Sequence, residues 1–137
     1  MRAAVFSDVH GNLVALDAVL SAAAAENVDE YWIIGDHAAH GPQPAEVIDR
    51  NEQLPFVRAA RGNTDRYVLD GSGSSLVPAA SPGRSTEEVQ LLVDAEKSHA
   101  WTRGAVTARG HWDLYLAVSG SSAGSSVSAG SGSVDGS

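Results

Sequence analysis

Three short apolar runs, each cut off by a polar cluster, constrain this chain more than anything else in it. Ala3-Ala4-Val5-Phe6 leads into Asp8-Val9-His10, and Tyr31-Trp32-Ile33-Ile34 into Gly35-Asp36. Phe56-Val57-Arg58-Ala59-Ala60 leads into Gly62-Asn63. Runs of this length ending in Gly, Asp or Asn suit buried parallel strands. Between the first two, residues 12–26 carry Leu13, Leu16, Val19, Leu20 and Ala23 at helical spacing. Asn12 is placed to cap that helix and Asn27 to end it. Pro44 suits the first turn of a second helix running to about residue 51, with Val47 and Ile48 facing inward, and Pro55 opens the third strand. The order β-α-β-α-β with short connections predicts a parallel sheet with right-handed crossovers.

In an open α/β sheet, ligands sit beyond the carboxyl ends of the strands. Asp8, His10, Asp36 and Asn63 are therefore expected to share one crevice. Two carboxylates, an imidazole and an amide oxygen form a donor set for a divalent metal. Taken singly, Asp8 and Asp36 read equally well as acids capping the helices that follow, and His10 as a loop histidine.

A chain of 137 residues has room for one domain with one core. Its formal net charge of −8 disfavours non-specific binding to nucleic acid or to an anionic membrane surface. Cysteine is absent, which excludes disulfides, thiolate zinc sites and cysteine nucleophiles. No apolar region precedes the first strand as a signal peptide would, and no stretch is apolar enough to span a bilayer. The expectation is a soluble cytoplasmic protein.

Past Asp65 the pattern weakens. Residues 64–69 suit a short helix, and residues 70–83, rich in Gly, Ser, Pro and Ala, read as a loop. Ser85-Thr86-Glu87-Glu88 is a helix start, with Val89, Leu92 and Val93 as the apolar face of a helix reaching about residue 101. A second helical stretch is read over 107–116, although 112–118 also suits a strand. His99 and His111 read as surface residues, and Trp101, Trp112 and Tyr115 as packing aromatics. From 119 to 137, fourteen of nineteen residues are Ser or Gly and none is aromatic. Such a segment buries too little apolar surface to offset its ordering entropy. The expectation is a domain over 1–118 and a flexible, disordered tail over 119–137.

Asp8-Val9-His10-Gly11-Asn12, Gly35-Asp36 with His40-Gly41-Pro42, and Arg61-Gly62-Asn63-Thr64-Asp65 together resemble the calcineurin-like metallophosphoesterases of the compact bacterial branch. The intervals agree as well, with 24 residues between His10 and Gly35 and 25 between Asp36 and Gly62. The resemblance implies the N-terminal β-α-β-α-β half of a four-layer α/β/β/α sandwich, followed here by helices. It implies hydrolysis of phosphate esters by a hydroxide bridging two divalent metal ions, Mn, Fe, Zn or Ni. Asp36 would bridge the ions, Asp8 and His10 would hold the first, and Asn63 the second, with Asp36, Asn63 and Asp65 as the catalytic candidates. The implied substrate is a small-molecule phosphate ester, a nucleotide or a phosphoprotein.

Two departures stand out. Thr64 occupies the place where many members carry a leaving-group histidine, and threonine is no general acid near neutral pH. His37 and His40 are candidate substitutes. The downstream histidines that complete the family's site have no counterpart after a β-like run, which suggests a truncated member retaining one ion. Three readings follow: a phosphoesterase, an inactive fragment with a weak metal or phosphate half-site, and an interaction module forming a homo-oligomer through an exposed apolar sheet face.

Overall fold

The computed structural model describes residues 1–70 and 83–118. Strands β1 (Ala3–Phe6), β2 (Glu30–Ile34) and β3 (Val57–Ala60) form one parallel sheet in the order β1-β2-β3. Ala3 pairs with Glu30 at one end of the β1–β2 ladder, and Ile34 with Ala60 at the far end of β2–β3. Helices α1 (Leu13–Ala25) and α2 (Pro44–Glu52) make the crossovers. With strands in sequential order, right-handed crossovers put both helices on the same face.

That face is the first core. Leu16, Leu20 and Ala23 of α1 and Val47 of α2 cluster with Tyr31, and Ala4, Phe6 and Val57 pack against them. Asn12 caps α1 as expected, its Oδ1 accepting from Ala15 N at 3.0 Å. Asn27 follows the helix in a left-handed conformation. Val19, read as part of the apolar stripe, is exposed instead.

The opposite face of the sheet is open. Val5 and Ile34 are 56% and 57% exposed, with Trp32 between them. The strands are thus buried on one side only, which corrects the reading of them as fully buried. Glu30 accepts hydrogen bonds from Trp32 Nε1 (2.8 Å) and Arg58 Nε (3.3 Å) on this face.

Helices α3 (Asn63–Asp70), α4 (Thr86–Ala108) and α5 (Trp112–Val118) follow. They form a second core in which Val68, Val106 and Tyr115 enclose Ala38, Ala39 and Ile48. Ser85 and Glu88 make the expected capping box. The helix runs on to Ala108, beyond the expected end, and its buried residues are His99, Thr102 and Val106. Val89 is exposed, so the packed stripe lies further along than the sequence suggested. Residues 112–118 are helical and not a strand. Arg103 donates to Val68 O (2.8 Å) and Tyr67 O (3.2 Å), satisfying carbonyls in the last turns of α3. Arg109 pairs with Glu46 at 2.6 Å and His111 with Asp49 at 2.8 Å, tying α4 and α5 to α2. Nearly all of the expected loop 70–83 and the whole tail 119–137 lie outside the described residues.

Candidate metal centre

The loops leaving the three strands are laced together. His10 N donates to Asp36 O (3.0 Å), Gly11 N to His37 O (2.9 Å) and Gln43 N to Gly11 O (2.9 Å). Four residues of these loops, Asp8, His10, Asp36 and His40, have positive φ without being glycine. Such conformations are uncommon outside glycine and gather where surrounding structure holds a site in place. Glycine serves the same end at position 62, where a Cβ would run into the Asp36 side chain and backbone.

Asp8, His10 and Asp36 converge as expected, with donor atoms within 4.8 Å of one another. His10 Nδ1 lies 2.9 Å from Ala39 O and Nε2 lies 3.4 Å from Asp8 Oδ1. A proton on Nδ1 donated to the carbonyl leaves the Nε2 lone pair facing the carboxylates, the usual arrangement of a ligating histidine. Among the described residues, neither Asp8 nor Asp36 forms an ion pair with Lys or Arg. Two neighbouring carboxylates beside an imidazole form a donor set that a divalent cation fits. The Ser7 hydroxyl donates to Asp8 Oδ2, and this bond above all, with His10 adding to it, holds Asp8 below the ordinary carboxylate range.

Asp36 Oδ1 accepts from Thr64 N (3.1 Å) and from Thr64 Oγ1 (2.7 Å). Thr64, read only as a lost histidine, is thus a hydrogen-bond partner that orients the central carboxylate. Asn63 is the exposed first residue of α3, immediately before it.

Asp65 is fully buried, and both its oxygens are engaged. Oδ2 accepts from Asp36 N and Gly62 N, each at 2.8 Å. Oδ1 accepts from His37 N (3.0 Å) and Tyr115 OH (2.6 Å). One carboxylate therefore binds the exit of β2 to the exit of β3. Burial first, and the Asp65 carboxylate second, push the Tyr115 phenol far above its ordinary range. Nothing in the sequence announced this pair, because α5 is separated from Asp65 by fifty residues.

His37 is buried and committed, with Nε2 3.0 Å from Ala60 O and Nδ1 3.3 Å from Asn51 Nδ2. That removes it as a substitute proton donor. His99, read as a surface residue, is only 3% exposed, because the α4 register turns it toward the crevice. It forms a row of rings with Tyr67 and His40, and His40 in turn faces His10. Desolvation first, and neighbouring positive charge second, lower the basicity of both His40 and His99. His111 is half-buried against Asp49 and not a free surface residue.

Parallel strands whose exits gather two Asp and one His place a candidate metal-donor set at one sheet edge, and comparison with known proteins identifies the family. The Calcineurin-like phosphoesterase family model matches residues 1–121, so the chain belongs to that family. It is similar to Phosphodiesterase YfcE of Escherichia coli strain K12, 38% identical over 77 residues. That match covers 50% of this chain and 42% of the relative. The YfcE proteins of the O6:H1 and O157:H7 strains match to the same extent. A solved metallophosphoesterase from Sphaerobacter thermophilus shares the fold with a TM-score of 0.53 and 30% identity, over 83% of this chain and 40% of its own. The chain thus spans less than half the length of these relatives. No helix among the described residues is long and apolar enough to cross a membrane.

Proposed function

We propose that the crevice formed by Asp8, His10 and Asp36 is a divalent-metal site for phosphate-ester hydrolysis. The convergence of these three donors at the strand exits carries the reading. Family membership and the likeness to a phosphodiesterase support the reaction class. A bound divalent cation would supply Lewis-acid polarisation of a phosphoryl oxygen and make a water molecule more acidic.

The chain's own residues do the positioning. His10 is fixed through Nδ1 by the Ala39 carbonyl, which keeps Nε2 turned to the ligand side. Thr64 aligns Asp36 through Oδ1. Asp65 acts through the backbone, holding the amides of Asp36, His37 and Gly62 in register. Asn63, exposed beside Thr64, is the donor we assign to a second cation. Because Thr64 offers no general acid, substrates with good leaving groups are favoured. Phosphoryl transfer asks mainly for charge and alignment, so a site lacking that acid is still suited to them.

The test is hydrolysis of nitrophenyl phosphate and bis-nitrophenyl phosphate by the full chain with added Mn2+. Metal-dependent turnover that vanishes in Asp36→Ala supports the proposal. Turnover equal in the chain and the variant, or none with either substrate, overturns it.

A further inference from the structure

Beside the proposed phosphoesterase site, His40 and His99 remain unexplained. His99 is buried, yet neither of its ring nitrogens has a hydrogen-bond partner among the described residues. Leu or Phe would fill that place on α4 without leaving unpaired polar atoms, so an imidazole there calls for a ligand. Its neighbour His40 comes from the loop between β2 and α2, with ring centres 4.9 Å apart and planes tilted by 51°. Two imidazoles on one tetrahedral ion, with metal–nitrogen bonds of about 2.0–2.1 Å, hold their centres roughly 5 Å apart.

The surroundings fit the same use. His40 Nδ1 lies 3.3 Å from Ser98 Oγ, which can accept its proton and leave Nε2 for a ligand. The His40 backbone holds a left-handed φ of 78°, an unusual conformation for a bulky residue. Tyr67 closes the far side of His99, with ring centres 5.4 Å apart.

We propose that His40 and His99 form an accessory cation site, distinct from Asp8, His10 and Asp36, that takes a borderline transition metal such as Zn2+, Ni2+ or Cu2+. Two nitrogen donors without a carboxylate suit these ions and do not suit Mg2+ or Ca2+. Water or an oxygen of a bound anion would fill the remaining positions on the ion.

The test uses the full, tag-free chain carrying Asp8→Ala and Asp36→Ala, which removes the phosphoesterase site and so separates the two proposals. Equilibrium dialysis of this variant against Zn2+ should show one bound ion per chain. Adding His40→Ala, at an exposed position, should weaken binding by about tenfold or more, and His99→Phe should do the same. His111→Ala should leave it unchanged. With Cu2+, paramagnetic resonance should show two nitrogen couplings that fall to one in either variant. A folded variant that binds no Zn2+, or binding that survives both His40→Ala and His99→Phe, overturns the proposal. So does binding lost only with His111→Ala.

Discussion

The crevice has two walls of different origin. One is built by the loops after β1, β2 and β3, the other by helices α3, α4 and α5. The loop wall brings Asp8, His10 and Asp36 together through short local turns with left-handed backbone. The helical wall acts from a distance, Tyr115 reaching Asp65 and Arg103 reaching the end of α3. The contrast teaches that placement and support are divided: Asp8, His10 and Asp36 come from the strand exits, and helices far along the chain brace the loops that carry them.

Replacing residues on each wall should give opposite signatures. Asp36→Ala should cut metal-dependent hydrolysis by at least about 100-fold, since even loss of a residue behind a ligand costs 10–100-fold. Its unfolding midpoint in urea should move less than that of Asp65→Ala, because among the described residues Asp36 accepts from Thr64 alone while Asp65 accepts from three backbone amides. Asp65→Ala should instead destabilise the fold by more than about 3 kcal/mol, because three backbone amides lose their charged acceptor. Urea unfolding of both variants breaks the comparison if Asp36→Ala proves the less stable.

Tyr115→Phe should cost about 1.5–3 kcal/mol, the range for a hydrogen bond to a charged group. It also carries a pH signature. The folded-state pKa of Tyr115 is raised, so the folded chain keeps the phenol proton while the unfolded chain loses it above about pH 10. Stability from this group is full below pH 10 and declines as pH rises beyond it. Unfolding measured across pH 8–11 should show that decline in the parent chain and a shallower one in Tyr115→Phe. The smallest effect belongs to neither wall. Val5→Thr on the open sheet face should change stability by no more than about 0.5 kcal/mol, as surface substitutions do, in the same urea assay.

The loop wall was legible in the sequence and the helical wall was not. Strands β1 and β2 fell on the apolar runs, and Asp8, His10 and Asp36 met because parallel strands place their exits on one edge. The helical wall depends on register and long-range packing. Val89, Leu92 and Val93 looked like the apolar face of α4, but His99, Thr102 and Val106 took that role because the helix packs through its later turns. A histidine read as polar surface was thereby turned inward. Thr64 was visible only as an absence, since its bond to Asp36 exists only once β2 and β3 lie side by side.

The account rests on Asp8, His10 and Asp36 binding one divalent cation between them. Calorimetric titration of the full chain with Mn2+, beside the Asp8→Ala, Asp36→Ala variant, tests it most directly. Saturable heats from the parent chain and none above dilution from the variant are the predicted result. Identical heats from the two proteins would contradict it.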